Sequence, residues 1–410
     1  MTPARPPRRA ILAGALAASL TALATRPALA QDDALTQAAF DDWVGAQRAR
    51  ALAAGVSADA WEAALQGLTP DPVVIARRAS AAETNLTLAD YVTRLLNGRG
   101  QKARAKLAAT PQLAGVQARF GVPSGVLTAF WGMESDYGAN IGDRDALRAV
   151  ATHGAASSGG ADWSAEFLAA LKILQSAVVP RARLIGSYAG ALGQTQLMPT
   201  NYLKYGVDFD GDGRVDVWGS APDALASAAA HLTGATGWRP GESWLEEVAL
   251  APGFDLSKAE VEITALPPDR WQALGAPRAS GVPWSAADRA ETARLLLPSG
   301  IAGPAFLAFP NYSAFEAYNP SMPYAVGVSL LSKFAAGETV VRKPWPTDPA
   351  LPRETRMAAQ AGLARLGFYD GKIDGDMGKK SRAALRAWQL AAGVPRDGFL
   401  TAEQAAVLAK

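Results

Sequence analysis

Cysteine is absent from the 410 residues, which at once removes disulfides, a thiol nucleophile, cysteine-based metal sites and a lipid-modified N-terminal cysteine. Histidine is nearly absent. Only His153 and His231 occur, too few for a histidine-rich hydrolytic zinc site. An excess of charge is missing as well: Lys and Arg number 40 against 38 Asp and Glu, whereas nucleic-acid binding would call for a basic patch. Long apolar runs are also lacking. The best candidate, Ala10 to Ala24, is Ala-rich and falls short of the roughly 20 residues that span a bilayer.

What is present suits a folded protein of two or three domains, with 49% hydrophobic and 19% charged residues. Arg5, Arg8 and Arg9 precede the apolar run, and Ala28-Leu29-Ala30 supplies a small-x-small site before Gln31. Residues 1–30 therefore read as a signal peptide, with an uncleaved anchor as the alternative. The Arg8-Arg9 pair leaves general secretion and twin-arginine export both open. Removing Arg5, Arg8, Arg9 and Arg26 takes the net charge from +2 to 2 − 4 = −2. The mature chain is expected to be soluble and periplasmic, without a stable membrane anchor.

Helix-period apolar residues such as Trp43, Val44 and Leu52 predict a helical layer from Phe40 to about Leu107, the helical N-terminal part (31–110) of a larger unit over 31–340. Between Val122 and Leu232, helical stretches alternate with Gly- and Asp-rich loops that can present polar groups. Pro344, Pro346, Pro349 and Pro352 mark an extended linker over 341–353. Residues 354–410 then predict a small three-helix unit, with Leu363, Leu366, Leu385 and Trp388 at helix spacing and a capping box of Thr401 and Gln404. The expected class is mainly α.

The segment from Val122 to Gly138 predicts a helix capped near Ser124. On it Leu127, Phe130, Trp131 and Glu134 fall at i, i+3, i+4 and i+7, so the carboxyl shares a face with large apolar side chains. Desolvation there raises a carboxyl's pKa, as a general acid for a glycosidic oxygen requires. A Glu paired with an Arg, or capping a loop, is the plainer alternative. Further on, Gly186 to Pro199 combines glycines, Ser187 and two glutamines, groups suited to close backbone approach and to sugar hydroxyls and acetamides; an ordinary inter-helix loop would read the same way.

Taken in order, Glu134-Ser135 with Tyr137-Gly138, Gly190-Ala-Leu-Gly193 with Gln196 and Met198-Pro199, and Tyr318-Asn319-x-Ser321-x-x-Tyr324-Ala325 resemble the motifs of the lytic murein transglycosylase B family, over about Phe40 to Phe334. The resemblance implies a lysozyme-like helical catalytic domain with a loop-borne cleft and one catalytic Glu, here Glu134. It also implies that Ser187 and Gln196 line the sugar cleft, while Tyr318, Asn319 and Tyr324 contact the glycan and orient the Glu. Two departures stand out: Gly159-Gly160-Ala161-Asp162 where relatives commonly carry arginines, and His231 where an aromatic is common. The C-terminal unit, with Asp374-Gly375-x-x-Gly378-x-x-Ser381 and Asp397-Gly398, is similar to a small peptidoglycan-binding domain.

Asp208, Asp210, Asp212, Arg214 (through its carbonyl) and Asp216 occupy positions 1, 3, 5, 7 and 9 of an EF-hand-like loop. Relatives carry a similar loop, but position 12 is Gly219 instead of the bidentate Glu. A weak structural Ca²⁺ site and a solvated acidic turn both fit. No cofactor is expected for the chemistry. Ordinary glycosidases need two carboxylates, yet the motifs single out no second one, and Asp136 should point away from Glu134 on a helix. The resemblance then implies cleavage between N-acetylmuramic acid and N-acetylglucosamine with closure of a 1,6-anhydro ring, Glu134 serving as acid and then base. A hydrolytic muramidase and a non-catalytic wall-binding scaffold are the rival readings. The expected partner is the peptidoglycan glycan strand.

Overall fold

The structure, a computed structural model, describes residues 35–79, 86–157, 162–257 and 261–410. The signal-peptide reading of 1–30 and the Gly159 to Ala161 departure lie outside the described residues. Leu35 to Lys410 form one compact unit containing four hydrophobic clusters.

The first cluster is built on the helix Ser124–Ser135, whose sequence is apolar almost all round and therefore buried on every side. The equally apolar helix Met322–Ala335 packs along it. Their approach depends on Gly125, where a Cβ would sit 2.8 Å from the carbonyl of Ser332. Helix Leu88–Leu95 joins them, Gly327 making room for Tyr91, and Ala221–Thr236 closes another side.

The second cluster gathers Gln37–Ala46, Arg48–Ala53 and Ala58–Leu65 with Ala146–Ala155 and Trp163–Gln175. Phe167 is its hub, met edge-on by Trp43 and Trp61 at 5.5 and 6.2 Å. The predicted N-terminal helical layer is thus divided between two clusters. Its first helices serve this cluster, while Leu88–Leu95 and Gln101–Ala109, joined by a π turn Leu96–Gly100, serve the first.

The third cluster was not anticipated. It lies against an antiparallel sheet ordered Leu245–Val248, Ala305–Ala308, Ala293–Leu296, Ala265–Leu266, with Trp271, Trp284 and Phe309 buried on it. Leu245-Glu246-Glu247-Val248 conceals a strand because both carboxylates are buried and satisfied. Glu246 accepts from Lys333 Nζ (2.6 Å) and Arg278 Nη2 (2.8 Å), and Glu247 from the backbone N–H groups of Arg342 (2.7 Å) and Lys343 (2.8 Å). The Pro-rich segment is consequently laid down on the body, with Val340, Val341 and Trp345 packed against the first cluster.

Helices Arg353–Arg365, Lys379–Ala392 and Ala402–Leu408 enclose the fourth cluster around Leu363, Leu385 and Trp388. The capping box is only half formed: Thr401 Oγ1 accepts from Gln404 N (3.2 Å), but the Gln404 side chain instead accepts from Gln389. This unit docks on the sheet through Glu262, which takes Arg382 at 2.9 Å and Arg386 at 3.2 Å in a nearly enclosed triad.

Because the fourth cluster is separate from the others, a chain ending at Arg353 is expected to retain its helical circular dichroism. Leaving Glu262 without its two guanidinium partners should lower the melting temperature by about 2–4 °C per kcal/mol lost. A truncated chain that does not fold would show the two parts to be one cooperative unit.

Candidate active site

Glu134 is the penultimate residue of Ser124–Ser135. The helix begins after Pro123 without a side-chain cap; Ser124 Oγ instead donates to the carbonyl of Leu113 (3.2 Å) and to Gln117 Oε1 (2.9 Å), correcting the expected cap. Its exit is sharp. Asp136, Tyr137 and Gly138 all take positive φ, at 51°, 64° and 83°, two of them without the freedom of glycine, a conformation that costs about 1–3 kcal/mol each and is held only by surrounding contacts.

Those contacts converge on Gln194, a residue sequence reasoning passed over. Its Oε1 accepts from Trp131 Nε1 (2.9 Å), its carbonyl accepts from Ser135 Oγ (2.6 Å), and its amide donates to the carbonyl of Trp218 (3.2 Å). Ser135 Oγ in turn accepts from Gly138 N at 2.8 Å. A Cβ on Gly138 would stand 2.7 Å from Gln194 Oε1. The doubled glutamine of Gly193-Gln194-Thr195-Gln196 was the available signal, and it was spent on Gln196.

The Glu134 carboxyl is pushed up to about 7. Desolvation by burial is the dominant cause, and a hydrogen bond from the Tyr324 hydroxyl to Oε1 opposes it. Among the described residues Glu134 has no ion-pair partner. Asp136, as expected, faces elsewhere and pairs with Lys102 at 2.7 Å. Tyr324 is itself buried, and both burial and the nearby Glu134 raise its phenol well above the ordinary value. Tyr318 packs at a tilt against Phe130, with centroids 4.5 Å apart, and donates to the carbonyl of Thr195. Burial and Glu134 likewise raise its phenol. Tyr91, which sequence reasoning missed, is also within electrostatic reach of Glu134.

The structure thus brings Glu134, Tyr318 and Tyr324 together. The other sequence-predicted residues are engaged by backbone groups of the loops. Ser187 Oγ accepts from Ala191 N (3.2 Å). Gln196, at φ 53°, donates its amide to the carbonyls of Ile141 (3.2 Å) and Gly193 (2.9 Å). Exposed Asn319 accepts from Ser321 N (3.0 Å), just ahead of Met322–Ala335. His231 lies between Tyr205 and Tyr318, at 5.2 and 5.5 Å, and burial lowers its pKa.

In the acidic loop, carboxylate oxygens of Asp208, Asp210 and Asp212 lie within 4.8 Å of one another. Asp216 turns away, accepting from Trp218 N (3.0 Å) and Gly219 N (2.8 Å), and Arg214 N donates to Asp212 Oδ1 (2.9 Å). The donor set thus suits a divalent cation with three carboxylates rather than four. Fully buried Asp223 anchors the loop, accepting from the N–H groups of Phe209 (2.8 Å) and Asp216 (2.9 Å). Its position after Ser220 at a helix start was its sequence signal.

Comparison with known proteins follows the same lines. Residues 39–333 match the transglycosylase SLT domain family, and 352–408 match a peptidoglycan binding domain family. The chain is similar to SltB3 of Pseudomonas aeruginosa, solved in complex with NAG-anhNAM-pentapeptide, with a TM-score of 0.81 and 40% identity over 90% of this chain and 99% of that one. Membrane-bound lytic murein transglycosylase B of Escherichia coli K12 is 28% identical over 223 residues, 53% of this chain and 58% of the relative; the match thus spans little more than half of that relative's length. Escherichia coli Slt35, solved in complex with calcium, shares the fold, with a TM-score of 0.58 and 23% identity over 74% of this chain and 94% of that one. The four-cluster helical architecture, its half-buried glutamate and the match over residues 39–333 lead to one conclusion: the chain belongs to the transglycosylase SLT domain family.

Proposed function

We propose that this protein is a lytic transglycosylase that cleaves the β-1,4 bond between N-acetylmuramic acid and N-acetylglucosamine in peptidoglycan without consuming water, leaving 1,6-anhydro ends. The observation that carries the reading is a single desolvated carboxyl, Glu134, pushed up to about 7 and bonded to Tyr324, beside an Asp136 already committed to Lys102. Similarity to SltB3, solved with an anhydro-muropeptide, supports it, as does the match to a peptidoglycan binding domain at 352–408.

In this mechanism protonated Glu134 donates its proton to the glycosidic oxygen while the substrate's acetamide stabilises the positive charge growing at C1. The C1–O bond breaks. The Glu134 carboxylate, steadied by the Tyr324 hydroxyl, then removes the proton from the muramic O6, which attacks C1 and closes the ring. One group suffices because the proton it gives in the first half returns in the second. Ser187, Gln196, Tyr318 and Asn319 are assigned to the glycan-facing walls. The arginine-flanked apolar start assigns the chain to export and the periplasm.

Glu134→Gln keeps the shape of the side chain but carries no transferable proton, so anhydro-muropeptide release, read by mass spectrometry of digested wall, is expected to fall at least about a hundredfold with wall binding intact. Wild-type kcat/KM should decline as pH rises through about 7, because the first step needs the protonated acid. Stability carries the same signature. A carboxyl raised from about 4.5 to about 7 binds its proton more tightly in the folded state, so its penalty is absent below 4.5, grows between 4.5 and 7, and then stays constant at up to about 3 kcal/mol. The melting temperature of Glu134→Gln relative to wild type should therefore rise across that window. Near wild-type release of anhydro product by the variant would remove Glu134 from the mechanism, and a product heavier by one water would make the enzyme a muramidase.

We also assign the Asp208, Asp210 and Asp212 loop as a weak structural calcium site, a reading supported by the calcium complex of Slt35. With Gly219 in place of the twelfth ligand, millimolar calcium should raise the melting temperature only slightly, and Asp208→Asn should abolish the rise. A large rise that magnesium does not reproduce would mark a tight site instead.

A further inference from the structure

The C-terminal unit does not meet the body through the Glu262 triad alone. The turn between strands Ala293–Leu296 and Ala305–Ala308 comes up against Asp397, whose carboxylate accepts from Ile301 N (3.0 Å), Phe399 N (3.0 Å) and Gln389 Nε2 (3.1 Å). Gly300 permits the close approach: it stands at φ 69°, and a Cβ there would lie 2.9 Å from Asp397 Oδ2 and 3.1 Å from Phe399 Cβ. The Pro-rich segment borders the same junction. Between these parts lies a cavity of about 460 Å³, within the roughly 300–1,000 Å³ usual for small-molecule sites, and nothing described so far gives it a role.

Its walls are aromatic and aliphatic: Trp388, Val394 and Phe399 come from the C-terminal unit, Ile301 from the sheet turn and Pro346 from the Pro-rich segment. The polar lining is of a different kind. Asp348 and Glu403 are exposed carboxylates, and Gln404 already accepts from Gln389 through Oε1 (3.2 Å), which leaves its amide N–H groups as donors. No Lys, Arg or His is among the described residues that line the cavity, and the Lys343 ammonium is committed to the Ile301 carbonyl at 2.9 Å. A ligand rich in carboxylates is therefore repelled, because no cation opposes its charge. Aromatic walls with carboxylate and amide partners suit instead the apolar face, the hydroxyls and the acetamide of an uncharged amino sugar.

We propose that this cavity is a second glycan-binding site, which takes an N-acetylglucosamine residue of the strand between the catalytic body and the C-terminal unit. The proposal rests on the peptidoglycan reading of the chain but not on the chemistry of Glu134. Of the two parts of peptidoglycan the glycan is the one selected, since a stem peptide carries free carboxylates and N-acetylglucosamine carries no charge. Because the sheet turn and the Pro-rich segment supply part of the wall, neither half of the molecule holds the whole site.

The chain has no cysteine, so Val407→Cys, at an exposed position lining the cavity, can be labelled there alone with an environment-sensitive fluorophore. The full-length labelled protein is titrated with chitotetraose, a neutral oligomer of N-acetylglucosamine, with a free stem pentapeptide and with lysinamide. Chitotetraose is expected to give a saturable response that the other two do not. In the same background Phe399→Ala should weaken that response at least about tenfold by removing an aromatic wall. Ala392→Gln, which adds bulk to the lining from an exposed helix end, should weaken it too, whereas Leu390→Gln, exposed on the same helix but outside the lining, should not. Should Phe399→Ala fail to fold, as its melting curve would show, Ala392→Gln carries the test. A response to the peptide or to lysinamide in place of the sugar would overturn the assignment, as would no response at all, or a sugar response that neither lining variant changes. Failure of the transglycosylase reading would look different, because the chain would release no anhydro product while chitotetraose still bound beside the label.

Discussion

The arrangement depends on one carboxyl held out of water with a phenol as its hydrogen-bond partner. Burial alone would force Glu134 to stay neutral, and a cationic neighbour would force it to stay charged. The Tyr324 hydroxyl does neither, stabilising the anion only enough to leave the group pushed up to about 7. Much of the surrounding architecture serves that balance. The helix carrying Glu134 is apolar on nearly every face, glycines at 125 and 327 let its neighbours close in, and Gln194 stops the helix one residue after the acid by gripping Trp131 and Ser135.

The elements that were legible in the sequence are those whose signal is local. The Ser124–Ser135 helix followed from apolar periodicity ending in Glu134, and the C-terminal helices followed from spaced leucines and Trp388. Tyr318 and Tyr324 were reached only through a motif resemblance, since nothing in their own neighbourhood says that a residue 190 positions away will accept a hydrogen bond from Tyr324. The sheet escaped notice because its strands are short and one carries Glu246-Glu247 at its centre, a pair that period-two reasoning rejects until Lys333, Arg278 and the Arg342 and Lys343 amides supply their partners. Gln194 and Asp223 escaped for a related reason. Each satisfies several distant backbone groups, and a contact between distant segments leaves no spacing to read.

Electrostatics also joins the parts of the molecule. Carboxylates with little exposure recur wherever one segment must be fixed to another: Glu246 ties the sheet to Met322–Ala335, Glu247 seizes the start of the Pro-rich stretch, and Glu262 receives Arg382 and Arg386 from the C-terminal unit. Each is satisfied by two donors, which is how a charge becomes tolerable in a place water does not reach. Pro-rich composition, normally a sign of a free tether, here describes a strap.

The separation of 190 residues between Glu134 and Tyr324 has a consequence for the life of the chain. A protein emerging from its N-terminus exposes the acid long before the phenol, and the helix Met322–Ala335 that walls the site is made near the end. Contacts so remote along the chain form late in folding, after the loop-closure entropy between them has been overcome. Nascent chains therefore contain Glu134 without its pocket, as an ordinary solvated carboxylate that holds no proton at neutral pH. The pocket that tunes this carboxyl is withheld, by topology alone, until both helices have been made and packed together.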